Sequence, residues 1–140
     1  MKPRYLLLLL LTGAALAVPL GCEYWDEEDD EISNVDVVGS WVGEEEDSLD
    51  KTKRNDMEIV FQADGNCALY EVVPDIRPGL WSGPYTVEGA TASFEYTTGS
   101  DMRYIYYGTV TGSNYTGTVT FRQASTDTFV NSVQFWLTRQ

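Results

Sequence analysis

The 140-residue chain contains no histidine, only two cysteines, and only 9 lysines and arginines against 22 aspartates and glutamates. The absence of histidine removes the usual general base, a common metal ligand and the usual member of a catalytic triad. The cysteines, Cys22 and Cys67, are too few for a zinc cluster. We therefore expect a protein that is not an enzyme and that has no metal site and no cofactor.

The shortage of basic residues also limits the partners of the chain. Lys2 and Arg4 precede Cys22 and every acidic residue follows it, so a chain that begins at Cys22 carries a net charge of 7 − 22 = −15. Such a surface repels phosphate backbones, and we expect no nucleic-acid partner. The length has room for one domain, which we expect to be a monomer.

The first 22 residues, MKPRYLLLLLLTGAALAVPLGC, have a basic start and an apolar run of about 16 residues that ends at Leu20. This run is shorter than the roughly 20 residues of a membrane-spanning helix, and it is typical of a bacterial export signal. Leu20-Gly21-Cys22 resembles the processing site of bacterial lipoproteins, in which a peptidase cuts before a cysteine that then carries acyl chains. Pro19 departs from that pattern, where an aliphatic residue is usual. The resemblance implies a signal peptide over 1–21 and a membrane anchor at Cys22.

A second cleavage site leaves another interpretation open. Ala15-Leu16-Ala17 fits the A-x-A site of a secreted protein, and cleavage after Ala17 would leave Cys22 free to form a disulfide bond with Cys67. If Cys22 is lipidated, the next residue matters. Glu23 stands where some bacteria use aspartate as a retention signal, which favours the outer membrane.

Residues 23–34, EYWDEEDDEISN, contain seven carboxylates and no basic residue. A segment of this composition cannot bury its charges, and its self-repulsion keeps it extended. We therefore expect three parts: a signal peptide over 1–21, a lipidated cysteine with a disordered acidic tether over 22–35, and a folded domain over 36–140.

The folded domain has the alternating apolar pattern of half-buried β-strands. Eight strands are predicted, at residues 37–43, 57–62, 67–73, 85–88, 91–98, 103–111, 115–123 and 132–139. Long and tight connections alternate, so an up-and-down meander places the long loops at one end. Eight antiparallel strands close a barrel that holds side chains or one small ligand. Closure pairs the first strand with the last; failure of that pairing would indicate an open β-sandwich instead.

Three residues give this barrel a family resemblance. Gly39-Ser40-Trp41 matches the Gly-x-Trp with which lipocalins enter their first strand, and Arg139 stands where lipocalins place a basic residue over that tryptophan. Residues 37–140 therefore resemble the lipocalin-like domains of bacterial secreted proteins and lipoproteins, although no C-terminal helix follows the last strand. The resemblance implies that Gly39, Trp41 and Arg139 close the tight-turn end of the barrel.

A ligand would enter such a barrel at the long-loop end. Our candidate ligand-binding residues there are Trp81, Tyr104, Tyr106, Arg103 and Phe129. Trp81, in the predicted loop 74–84, either lines the entrance or folds back and plugs it. The two tyrosines either hydrogen-bond a ligand or pack across strands.

Arg103 and Arg77 either hold a ligand carboxylate or pair with surface acids. Two functions follow from these alternatives. One is a lipid-anchored envelope protein whose barrel binds a small hydrophobic or amphipathic ligand. The other is a non-enzymatic structural or protein-interaction module of the envelope with a filled barrel.

Overall fold

The computed structural model describes residues 34–72 and 78–140, which form nine β-strands and no helix. The strands are β1 (Gly39–Glu46), β2 (Arg54–Phe61), β3 (Asn66–Glu71), β4 (Gly79–Pro84), β5 (Thr86–Glu88), β6 (Thr91–Thr97), β7 (Met102–Thr111), β8 (Asn114–Gln123) and β9 (Thr128–Arg139). Within these ranges no helix is long and apolar enough to cross a lipid bilayer. Cys22, the predicted signal peptide and the acidic tether up to residue 33 lie outside the described residues.

All nine strands belong to one antiparallel sheet that curls into a nearly closed barrel. The order is β4-β3-β2-β1-β9-β8-β7-β6-β5, and each neighbouring pair is hydrogen-bonded. The pairing of β1 with β9, which sets Trp41 opposite Arg139, confirms that the first and last strands meet and excludes the open sandwich. The end strands β4 and β5 are separated in sequence only by Tyr85. Among the described strands, no ladder joins β4 to β6, and we call this gap the seam.

The predicted number of eight strands is wrong, because the expected loop over 74–84 contains β4. Proline and glycine flank this segment on both sides, with Pro78-Gly79 before Leu80-Trp81-Ser82 and Gly83-Pro84 after it. Glycine and proline placed so close together predict a loop. Pairing with β3, which sets Trp81 opposite Leu69, nevertheless makes this segment a strand. Pro84 is tolerated because it ends a strand that borders the seam, where a missing N–H breaks no ladder.

Three other strands extend by three or more residues into predicted loops: β1 at its end, and β2 and β9 at their beginnings. The acidic end of β1, Glu44–Glu46, is extended because β2 and β9 flank it on both sides. β9 begins at Thr128 rather than at residue 132. The long connections are therefore shorter than predicted. If β4 and β5, which only Tyr85 separates, are counted together, long and tight connections still alternate along the chain. At the long-loop end, the Asp101 carboxylate accepts a hydrogen bond of 2.9 Å from the backbone N–H of Ser125 and so ties two loops together.

The interior is filled by the side chains that the alternating pattern turns inward. Ile59 and Phe61 on β2, and Phe135 and Leu137 on β9, are at most 1% exposed. Tyr115 on β8 is fully buried among them, and its hydroxyl donates to the Ala92 carbonyl oxygen at 3.0 Å. The tight-turn half of the barrel is therefore a packed core.

The tight-turn end is closed around Trp41, which is fully buried. Its indole N–H donates to the Val37 carbonyl oxygen at 2.8 Å, and the Arg139 guanidinium lies 4.8 Å from the ring centre. The same guanidinium donates to the carbonyl oxygen of Asp36. Gly39 has a φ of +135°, a conformation that favours glycine. The Gly-x-Trp triplet and Arg139 thus hold the segment that enters the barrel.

Gly117 on β8 permits the close approach of β7. A Cβ added there would lie 2.1 Å from the Tyr107 carbonyl oxygen and 2.5 Å from the Gly108 Cα. Because both are backbone atoms, the strands would have to separate. We expect Gly117→Ala to lower the free energy of unfolding by about 2 kcal/mol or more, in the range of overpacked cores. Chemical denaturation measures this loss, and Gly99→Ala is the control because its Cβ would meet nothing within 4 Å. Equal losses in the two variants would contradict the close-approach argument.

Candidate functional site

The long-loop end of the barrel contains a depression with two adjoining lobes, which we call the mouth. The lobes share Glu45, Asn55, Leu80 and Tyr106, and their volumes are about 340 and 360 Å³. The first, or acidic lobe, is also lined by Asp47, Asp56, Met57, Leu69 and Glu71. The second, or aromatic lobe, is also lined by Ser48, Tyr96, Thr98, Tyr104 and Phe121. The mouth therefore places carboxylates next to aromatic rings.

Glu45 is the carboxylate that β1 turns toward the interior. It follows Trp41 and Gly43 at the two-residue spacing of a strand face, and it accepts a hydrogen bond of 3.0 Å from the Tyr106 hydroxyl on Oε2. Burial raises the pKa of Glu45 above its ordinary value. The hydrogen bond from Tyr106 opposes this rise, and the negative charge of Asp47 adds to it. The ionised form of Glu45 is thus disfavoured by its surroundings.

The raised pKa of Glu45 predicts how stability changes with pH. Because the folded state holds the Glu45 proton more tightly than the unfolded chain, this stabilisation is complete below the ordinary glutamate pKa and is lost as pH rises through the folded pKa. Asp47, Asp56 and Glu71 also line the acidic lobe and are unchanged in the variant we propose. We expect the free energy of unfolding of Glu45→Gln to exceed that of the parent by a margin that grows as pH rises from the ordinary glutamate pKa through the folded pKa of Glu45.

Denaturation at a series of pH values measures this margin. Glu44→Gln is the matched control, because Glu44 is the preceding residue of β1 and is exposed on the outer face. A margin for Glu45→Gln that stays constant with pH, or that matches the margin of Glu44→Gln, would contradict a buried carboxylate with a raised pKa.

The aromatic lobe is built on a stack of rings that crosses from β6 to β7. Tyr96 stands opposite Tyr104, and their rings are stacked with centres 4.8 Å apart. Phe94 stands opposite Tyr106, two residues further from the open end along the same ladder, and their ring centres are 4.6 Å apart. Cross-strand aromatic pairs of this kind stabilise a sheet. Burial raises the pKa of Tyr96 and of Tyr106, so both hydroxyls stay neutral.

Both tyrosines named from the sequence, Tyr104 and Tyr106, line the mouth. Trp81 lines neither lobe. Its ring instead crosses the seam and stacks on Phe94 and Tyr96, with centres 5.5 and 5.3 Å apart. Trp81 therefore lies in a strand and packs into the barrel wall, rather than standing in a loop at the entrance.

The structure does not bring Arg103 and Phe129 to the mouth. Arg103 lies opposite Arg122 on the β7–β8 ladder, and both guanidinium groups contact the Asp127 carboxylate. Arg103 is thus paired with a surface acid. Phe129 is 56% exposed and lines neither lobe. Arg77 lies outside the described residues.

A comparison of this chain with protein-family models, with curated proteins and with solved structures finds no match.

The sequence places residues 44–56 and Leu80 at the rim of the open end, but it does not single out Glu45 or Asn55. Three consecutive glutamates favour a charged loop over the end of a strand. The signal that identifies Glu45 is the two-residue spacing from Trp41, which reaches Glu45 only if the strand continues past Gly43. Asn55 lies in β2, which begins earlier than predicted, and Leu80 lies in the unpredicted strand β4 rather than in a loop.

A second depression, of about 320 Å³, lies beside the seam; its lining includes Tyr85, Ser93 and Glu95. We call it the seam pocket. Among residues 34–72 and 78–140, no group of three acidic or cysteine side chains is placed to hold a metal ion.

Cys67 on β3 is a free, buried thiol. It is only 1% exposed, and burial raises its pKa to about 12. A thiol in this state is not a nucleophile at neutral pH. Cys22, the predicted alternative partner of Cys67 in a disulfide bond, lies outside the described residues.

Proposed function

We propose that the protein is a lipid-anchored protein of the bacterial cell envelope whose lipocalin-like barrel binds a small amphipathic ligand in the mouth. The observation that carries the proposal is the two-lobed mouth itself. The aromatic lobe is lined by aromatic rings and Leu80 with a few polar groups, which is the usual form of a small-molecule site, and the acidic lobe beside it is lined mostly by polar side chains. Each lobe, at about 340 and 360 Å³, falls within the size range of such sites.

The position of the chain entry supports the proposed anchor. The backbone N–H of Val35 donates to the Gly89 carbonyl oxygen at 2.9 Å, and Arg139 contacts Asp36. Both contacts lie at the tight-turn end, opposite the mouth. A tether from Cys22 would join the barrel there, so the mouth would point away from the membrane.

Lipidation is tested by metabolic labelling of the full-length chain with an alkyne-tagged palmitate in a bacterial host. We expect label on the parent protein and none on Cys22→Ser. Mass spectrometry of the mature N-terminus is the companion measurement. An unlabelled parent protein that begins after Ala17 would contradict the anchor and support secretion.

Ligand binding is tested by native mass spectrometry of the Cys22→Ser chain from residue 22, purified from a bacterial host. We expect a bound small molecule in this protein. Asn55→Trp provides the matched comparison, because Asn55 lies in the walls of both lobes and is exposed, so a large side chain there blocks the mouth without filling the core. A bound molecule that persists in Asn55→Trp would contradict binding in the mouth.

The packed tight-turn half of the barrel favours a second candidate, a structural or protein-interaction module of the envelope. Trp41, Tyr115 and Phe135 are fully buried there, so a ligand has no room below the mouth. Absence of any bound small molecule in both proteins would favour this module over the binder.

A further inference from the structure

We infer that the mouth selects amphipathic ligands with a protonated amine, whose ammonium group is held by Glu45 and whose apolar part lies against Tyr96 and Tyr104. This inference rests on the proposed function and names the class of its ligand. It replaces the alternative drawn from the sequence, in which Arg103 or Arg77 holds a carboxylate group of the ligand.

The charges around the mouth favour a cation. Four carboxylates line the acidic lobe: Glu45, Asp47, Asp56 and Glu71. No lysine or arginine is found among the residues that line the two lobes in the described part of the chain. A recess with charges of one sign concentrates ligands of the opposite sign, and it repels fatty acids and phosphates.

The basic residues of the neighbouring loop are already engaged with other groups. Lys53 lies 3.8 Å from the Asp50 carboxylate, and Arg54 lies 3.8 Å from the Glu46 carboxylate. The Arg54 guanidinium also lies over the ring of Trp136 on the outer face. Among the described residues, no lysine or arginine forms an ion pair with Glu45. Asp47 differs in this respect: backbone hydrogen bonds from Leu49 and Asp50 lower its pKa, and the positive charge of Lys53 adds to the effect.

Glu45 differs from the other carboxylates of the lobe because it is half-buried against the Tyr106 hydroxyl, which donates to its Oε2, and because burial is the main influence on its pKa. A carboxylate accepts about four hydrogen bonds, so Glu45 can accept more than the one from Tyr106. Removing a carboxylate from water is costly unless a charged donor pairs with it, and an ammonium group supplies both the charge and three N–H donors.

The aromatic lobe suits the rest of such a ligand. Tyr106 lines both lobes, so the aromatic stack and the Glu45 carboxylate meet at one residue. The stacked rings of Tyr96 and Tyr104 form an adjoining wall, with Phe121 set edge-on to Tyr104 at 5.0 Å between ring centres. Aromatic rings attract cations and also bury alkyl chains.

Three matched probes test the inference at neutral pH: decylamine and decanoate, each titrated below its micelle concentration, and decanol, titrated below its solubility limit. The protein is the Cys22→Ser chain from residue 22, which contains every described residue, and isothermal titration calorimetry measures affinity. We expect the amine to bind at least about tenfold more tightly than the alcohol, and the carboxylate more weakly still, because a hydrogen bond between charged groups is stronger than one to a neutral hydroxyl. Glu45→Gln should remove the preference for the amine, whereas Glu44→Gln, with the same charge change on the outer face, should keep it.

The possible results separate the inference from the proposed function. If the alcohol or the carboxylate binds as tightly as the amine, the inference is overturned while an amphiphile-binding mouth stands. If Glu44→Gln loses the preference as fully as Glu45→Gln, net charge explains it and Glu45 has no part. If none of the three probes binds, the inference is overturned, and the native mass spectra of the Cys22→Ser chain and of Asn55→Trp then decide whether the proposed function fails as well.

Discussion

Replacing Trp41 with alanine is expected to lower the free energy of unfolding by about 3–5 kcal/mol, the cost of removing a large aromatic side chain from a packed core. Trp41 is fully buried, and its ring packs edge-on to Tyr115 at 5.9 Å between centres. The variant also loses the indole hydrogen bond to Val37 and the surface on which Arg139 rests. The chain entry and the pairing of β1 with β9 are therefore weakened together.

Urea denaturation of the soluble chain measures this loss. Trp136→Ala is the matched control, since Trp136 lies on β9 beside β1 but is 42% exposed on the outer face. We expect the control to lose much less stability than Trp41→Ala. Equal losses would contradict the role of Trp41 in closing the tight-turn end.

The second large effect is expected at the seam. Trp81→Ala removes the ring that stacks on Phe94 and Tyr96 and that covers Gly83, whose added Cβ would lie 2.2 Å from it. Because no ladder joins β4 to β6, these ring contacts hold the two edges together. We expect a loss of about 2 kcal/mol or more, less than at Trp41 because Trp81 is only partly buried.

The Trp81→Ala variant should also gain an apolar opening in the barrel wall. Binding of the dye ANS measures exposed apolar surface, and faster amide exchange in β4 measures loss of the edge. Tyr107→Ala is the control, because Tyr107 is 58% exposed on the outer face of β7. Stability and dye binding like those of the parent protein would show that Trp81 does not hold the seam.

Alternation of apolar residues was sufficient to predict most of the barrel. Val133, Phe135 and Leu137 lie on one face of β9 because side chains of a strand alternate, and the three are buried. The hairpin at Asp64-Gly65-Asn66 was also predictable, since Gly65 has a φ of +87° and the turn needs a left-handed residue. These features depend on local sequence, which is why they could be recognised.

The candidate site depends on contacts between segments that are distant in the sequence, so it was harder to predict than the barrel. Glu45 faces the interior only because β1 continues between β2 and β9, and no local propensity favours a strand of three glutamates. β4 forms because β3 offers an unpaired edge to Trp81 and its neighbours. Arg103 is a candidate ligand-binding residue in the sequence because it lies near the open end. Its guanidinium group is instead oriented by Asp127, which is 24 residues away and could not be recognised as its partner.

The most direct test of the account is a map of where an amine probe binds. Decylamine is titrated into the isotope-labelled Cys22→Ser chain from residue 22, and the shifts of assigned NMR resonances are followed. The account predicts the largest shifts around the mouth, at Glu45, Tyr104 and Tyr106. Largest shifts at Tyr85 and Ser93 in the seam pocket, or no shifts at all, would contradict a ligand site in the mouth.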